Sequence, residues 1–159
     1  MNERRKWIHM FSGNIDHIMF FIPISDYNLK DPQTQQNRLV ESIQLLKEVV
    51  KSELFCKADI TMMFTKLDII QNKLQTHPFK DYFPEYNNPN NTLKEVSTWI
   101  KDHVMEQLRS EGEETISPRQ VYYHFVNLTD TSSFNIVQSA FETTLKLGNL
   151  YTMFAKQRQ

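Results

Sequence analysis

The sequence has few glycines. Gly13, Gly112 and Gly148 are the only three in 159 residues. Phosphate-cradling loops are built from glycine, because bare backbone must approach the phosphates closely, and no G-x-x-x-x-G-K-[ST] pattern occurs. The single cysteine, Cys56, excludes an internal disulfide framework and suits a reducing compartment. A formal net charge of −1 gives no electrostatic case for nucleic acid or a membrane surface. Long apolar runs are missing too: Ile18 to Ile24 is far too short to span a bilayer. The first residues are charged and form no signal-peptide pattern, and position 2 is Asn rather than the Gly that myristoylation needs. These features give the expectation of a cytoplasmic protein.

What is present is ordinary for a globular domain: 40% hydrophobic and 23% charged residues, in a chain long enough for one core. Apolar runs alternate with helical patterns, which predicts α/β units around a parallel sheet. Ile15 to Ser25 contains the solid run Ile-Met-Phe-Phe-Ile and reads as a strand buried on both faces. Asp31-Pro32 reads as an N-cap followed by proline at the first helical position, with Leu39, Ile43, Leu46 and Val50 on one helix face. Ile60 to Phe64 is a second strand, with Met62 and Met63 as core filler. The stretch holding Pro78, Pro84, Pro89 and four asparagines reads as a loop too broken for an element. Thr92-x-x-Glu95 is a capping box opening a helix whose apolar face is Leu93, Val96, Ile100, Val104 and Leu108. An acidic connector follows from Glu111 to Pro118. Val121 to Asn127 is a third strand, and Ile136/Val137, Ala140/Phe141 and Thr144/Leu145 recur at helical spacing beyond it.

The sharpest local chemistry is Phe64-Thr65-Lys66-Leu67-Asp68, at the carboxyl end of the second predicted strand, where open α/β sheets bind ligands. A carboxylate there can accept hydrogen bonds from the N1–H and exocyclic amine of guanine, which adenine does not offer. Such a buried polar pair discriminates strongly, because the wrong base leaves a group unpaired. Lys66 can lay its aliphatic stem along a base. Taken alone, the tetrapeptide is read more readily as a polar turn with a helix-capping Asp. Trp7, beside Lys6, suits an interface anchor; packing of Trp7 against a sheet, with Arg4, Arg5 and Lys6 solvated, is the plainer alternative. His124 reads as a structural histidine, since no partner carboxylate or nucleophile stands near it in sequence.

Seen together, the segments are more specific. Glu3-Arg4-Arg5-Lys6-Trp7-Ile8-His9 resembles the second switch helix of heterotrimeric G-protein α subunits. Ser25-Asp26-Tyr27-Asn28-Leu29 resembles their S-D-Y-D-L, and Asn37-Arg38-Leu39-Val40-Glu41-Ser42 their N-R-M-x-E-S. Phe83-Pro84-Glu85-Tyr86 resembles Y-P-E-Y, Val121-Tyr122-Tyr123-His124-Phe125 resembles I-Y-T-H-F, and Thr129-Asp130-Thr131 resembles the end of T-C-A-T-D-T. All fall in family order at family spacing.

The resemblance implies a partial doubly wound parallel sheet of three layers, P-loop GTPase-like, without the N-terminal half and the helical insertion. Residues 1–159 would form one portion of a Ras-like G domain, from the second switch helix to the last helix. It places Thr65, Lys66 and Asp68 in the base-recognition motif, usually N-K-x-D. It places Leu128 where the family has an Ala whose backbone N–H donates to the guanine carbonyl. It also implies contacts from Lys6, Trp7 and His9 to the βγ dimer or an effector, GTP or GDP as ligand, a seven-helix receptor as partner, and location at the inner face of the plasma membrane through those partners. Mg²⁺ is expected in the family, but its protein ligands have no counterpart in the sequence. The catalytic segment D-x-G-G-Q would end just before Met1, so no catalytic residue is assigned and the polypeptide is expected to lack GTPase activity by itself. Two alternatives are a non-hydrolysing decoy for βγ or receptor, and a gene-model fragment without independent activity. An apolar edge strand lacking upstream partners would make the isolated chain self-associate.

Overall fold

The computed structural model describes residues 15–110 and 120–133, with 135, 137–139, 141 and 142. Three strands, β1 (His17–Pro23), β2 (Asp59–Thr65) and β3 (Val121–Val126), form a parallel sheet in the order β1-β2-β3. His17 pairs with Asp59 at one end of the β1–β2 register and Pro23 with Thr65 at the other, while Ile60 to Thr65 run beside Val121 to Val126. Helices α1 (Arg38–Lys51), α2 (Leu67–Lys73) and α3 (Leu93–Ser110) lie between the strands in sequence.

Strands that follow one another across a sheet by right-handed crossovers put their long helices on the same face. Leu39, Ile43 and Leu46 of α1 and Val96, Ile100, Val104 and Leu108 of α3 accordingly share one core with Ile22, Ile60, Met62 and Phe64 of the sheet. Burying each such aliphatic side chain contributes about 1.5–3 kcal/mol relative to leaving it in water. The alternate residues face the other way, where Met63 and Val126 pack with Val137 and Met19. The result is the three-layer α/β arrangement that the sequence predicts. Central β2 is buried from Ile60 to Thr65, including both methionines.

Several boundaries differ from expectation. β1 stops at Pro23, and Ile24–Asn28 winds into a 3-10 turn with Ile24, Ser25 and Tyr27 buried. Helix α1 starts at Arg38, not after Asp31. The Asp31 carboxylate caps a separate turn, accepting the N–H groups of Gln33 at 2.9 Å and Thr34 at 3.0 Å, and the Thr34 amide is the main cause holding Asp31 below its usual carboxyl pKa. Asn37 is the true cap: its Oδ1 accepts from Leu39 N at 2.9 Å and Val40 N at 3.3 Å.

The proline- and asparagine-rich stretch is the larger correction. It contains a 3-10 turn at Phe79–Asp81, and Phe79, Phe83 and Tyr86 are buried in the main core. Phe79 and Phe83 stack at 4.7 Å, and Trp99 of α3 meets Phe79 and Tyr86 edge-on at 5.4 and 5.7 Å. Its asparagines serve the backbone: Asn91 accepts from Phe79 N at 3.0 Å and donates to Leu74 O at 2.6 Å. The polarity that marks this segment as a loop is what lets an irregular backbone enter a core. Thr92 caps α3 as predicted: its Oγ1 accepts from Glu95 N at 3.4 Å and donates to Glu95 Oε2 at 2.6 Å. Residues 3–11, the connector at 111–118, and Ile136, Ala140, Thr144 and Leu145 lie outside the described residues.

Candidate nucleotide site

Thr65 ends β2 with its hydroxyl turned inward, 3.5 Å from Ile22 O, and is only 5% exposed. The chain then turns sharply. Lys66 adopts φ 64° and ψ 42°, the left-handed region that costs a non-glycine residue roughly 1–2 kcal/mol. This turn starts α2 immediately, so the sequence that reads as a strand-to-loop junction is a strand-to-helix junction. Leu67 is half-buried, while Asp68 is exposed in the first helical turn.

The Lys66 ammonium sits 3.1 Å from Asp26 Oδ1, and the Ser25 hydroxyl donates to the same oxygen at 3.1 Å. The pair is partly solvated and worth at most about 1 kcal/mol, so its consequence is geometric. Lys73, at the far end of α2, reaches the same 3-10 turn, donating to Ser25 O and Asn28 Oδ1, both at 2.9 Å. Helix α2 is thus fastened at both ends to Ile24–Asn28.

A second loop arrives from β3. Asn127 follows the last strand residue, and its Oδ1 accepts the backbone N–H of Asp68 at 3.2 Å. Leu128, next in the chain, is 48% exposed. The loop is closed by Asp130, whose N–H donates to Asn127 O at 3.0 Å. The Asp130 carboxylate accepts from Ser132 and Ser133, and the Ser132 hydroxyl is the main cause keeping its pKa low.

Thr65, Lys66, Asp68 and Leu128 therefore gather at the carboxyl ends of β2 and β3. A cavity of about 480 Å³ beside them is lined in part by Phe21, Asp26, Arg38, Thr65 and Lys66. Asp68 and Leu128 do not line it, and both are exposed. Lys6, Trp7 and His9 lie outside the described residues. Among the described residues no group of three or more His, Cys, Asp or Glu gathers to hold a metal ion, and no helix is long and apolar enough to cross a membrane.

Sequence reasoning missed Asp26, Lys73 and Asn127. Asp26 lies in the quoted S-D-Y segment, but its partner is 40 residues away. Asn127 had a visible signal, since an amide stands where the family motif has Cys. His124 is half-buried in β3, and Cys56 is a half-buried free thiol. On β1, His17 Nε2 bonds Thr61 Oγ1 at 2.9 Å; burial pushes the ring's pKa down, against the pull of Asp59.

Two polar loops are fastened together at the carboxyl edge of a parallel sheet, where open α/β folds bind their ligands. The family profile described as G-protein alpha subunit matches residues 1–145. Guanine nucleotide-binding protein alpha-2 subunit of Schizosaccharomyces pombe is 33% identical over 146 residues, covering 90% of this chain and 39% of that protein. The alpha-4 subunit of Caenorhabditis elegans is 32% identical over 94% of this chain and 41% of its own length. The alpha-3 subunit of Neurospora crassa is 31% identical over 91% of this chain and 38% of its own length. The chain belongs to the G-protein alpha subunit family, and it spans about two fifths of the length of these relatives.

Proposed function

We propose that residues 1–159 form the guanine-recognising and partner-binding portion of a Ras-like G domain, from the second switch helix to the last helix, in a receptor-coupled signalling switch. The observation that carries this reading is the hydrogen bond that joins the Asp68 loop to the Asn127-Leu128 loop. In this reading the Asp68 carboxylate accepts from guanine N1–H and the exocyclic amine. The Leu128 backbone N–H donates to the base carbonyl, and the stem of Lys66 covers one face of the ring while Asp26 holds its ammonium. Thr65, buried at the end of β2, sets the level from which these groups project. The donor set fits a guanine base of GTP or GDP. Mg²⁺ is an expectation of the family.

Titration of the 159-residue protein with a fluorescent guanine nucleotide tests the reading. Displacement by GDP but not ADP is expected, and so is loss of binding in Asp68→Ala. Equal displacement by both nucleotides would overturn it. Phosphoryl transfer depends on charges placed around the phosphates, and the assigned residues address only the base, so no GTP turnover is expected from this polypeptide alone. Lys6, Trp7 and His9 are proposed to meet the βγ dimer or an effector; capture of βγ that survives Trp7→Ala unchanged would remove Trp7 from that surface.

A further inference from the structure

Helix α2 has a gap in its amino end. The first N–H groups of any helix have no partner within it, and a side chain at the N-cap commonly supplies one. The N-cap of α2 is Lys66, which makes no capping hydrogen bond and has no acceptor in its side chain to do so. Without another acceptor the Asp68 N–H would face water, and the backbone that carries the Asp68 carboxylate would follow a left-handed residue that supplies no cap. Asn127 fills that gap from another strand, 59 residues away in sequence, with Oδ1 3.2 Å from Asp68 N.

The same residue carries the adjoining loop. The Asn127 carbonyl accepts from Asp130 N at 3.0 Å, so one residue closes its own turn with its backbone and holds α2 with its side chain. The amide stands one position before Leu128. Shifting Asn127 shifts both the Asp68 carboxylate and the Leu128 N–H, the acceptor and the donor assigned to opposite groups of the base.

We infer that Asn127 is a positioning residue for guanine discrimination: it caps α2 in trans and thereby fixes the Asp68 carboxylate relative to the Leu128 backbone. This inference rests on the guanine reading of the site. Asn127 touches no base atom and acts through Asp68. Its effect is therefore expected on discrimination among bases more than on overall affinity.

The experiment uses the 159-residue protein and the variants Asn127→Ala and Asn127→Asp, with GDP and IDP as probes. IDP lacks the exocyclic amine, so the ratio of the two affinities reads one of the two hydrogen bonds to Asp68. Asn127→Ala is expected to lower the GDP/IDP ratio by about tenfold, the scale of one hydrogen bond to a charged group. Asn127→Asp keeps an acceptor and is expected to restore most of it. A general structural role would weaken both nucleotides equally and leave the ratio unchanged, which would overturn the proposal. Amide hydrogen exchange at Asp68, measured without nucleotide, separates this failure from failure of the guanine reading. If the wild-type protein binds neither nucleotide, the guanine reading and the discrimination role built on it fall together. The cap in trans then stands if Asn127→Ala speeds exchange of the Asp68 amide, and falls if exchange is as fast in wild type.

Discussion

At the amino end of α1, Asn37 turns its own side chain onto the N–H groups of Leu39 and Val40. At the amino end of α3, Thr92 and Glu95 close a box on each other. At the amino end of α2, Lys66 offers nothing, and the acceptor comes from Asn127 beyond β3. The first two helices carry the large apolar faces of the main core, while α2 is a short helix with one buried residue, Ile70. Local capping makes a helix start independently of the rest of the chain. Capping in trans makes a start conditional on two strands being correctly placed. The helix that needs to be sturdy has the local device, and the helix that presents the candidate base contact has the conditional one.

Substitution at each cap sharpens this contrast. Asn37→Ala should be the most damaging, at about 2 kcal/mol, because the cap is lost together with the donation from Nδ2 to the Tyr27 carbonyl. Urea denaturation giving a loss well below 1 kcal/mol would show that α1 starts without its cap. Thr92→Ala should cost about 1 kcal/mol at neutral pH, the usual value of one N-cap. That deficit should depend on pH. The Thr92 hydroxyl, and then Asn90, hold the Glu95 carboxyl below its ordinary 4.5. Stability gained from a lowered carboxylate pKa is present above the unfolded value and lost as pH falls through the folded one. The gap between Thr92→Ala and wild type should therefore narrow below about pH 4.5. A gap constant from pH 7 to 3 would detach Glu95 from the cap.

Lys66→Gly tests the strained turn. Removing the β-carbon relieves roughly 1–2 kcal/mol, offset by the greater freedom of glycine unfolded and by loss of the Asp26 pair, for a net gain of somewhat under 1 kcal/mol. A clear loss of stability would mean that the pair outweighs the strain. Asn127→Ala should have the smallest effect on global stability, about 0.5 kcal/mol, since the bond lies in an exposed setting. A loss as large as that of Asn37→Ala would erase the distinction between the two kinds of cap.

His17 adds a pH term from the sheet itself. Its folded pKa lies below the ordinary histidine value of 6.5, so the unfolded state binds more protons as pH falls. The stability associated with neutral His17 is complete above that value and declines as pH drops through the folded pKa. His17→Gln should flatten the thermal-stability profile in that window; an unchanged slope would assign it elsewhere.

Periodic and local signals were legible in the sequence. Val96, Ile100, Val104 and Leu108 repeat at helical spacing and form one buried face, and the Thr92–Glu95 box spans a single turn. The centre of β2 was legible for the same reason, whereas β1, read as buried on both faces, buries only Ile22 and leaves Phe21 exposed. The start of α1 was not, because Asp31-Pro32 and Asn37 both carry capping chemistry, and only the second leads into the continuous helix. Phe79, Phe83 and Tyr86 were hidden by their polar neighbours, whose hydrogen bonds to the backbone are what make burial possible. In the site, Thr65, Lys66, Asp68 and Leu128 could be singled out by motif. Asp26 and Lys73 could not, because each acts across the fold and no short window contains both partners; Asn127 stood out only as an amide at the family's Cys position, with its partner 59 residues away.

The order of the strands sets a schedule for synthesis. β2 sits between its two partners, and β3 is the last of the three to leave the ribosome. Until then one apolar edge of β2 waits unpaired, exposed to chaperones and to other nascent chains. Asp68 is translated early, but the side chain that holds its backbone arrives only with Asn127. The candidate base-contact corner is thus among the final parts of the sheet to be completed, and slowing translation between Thr65 and Val121 prolongs the interval in which it does not yet exist.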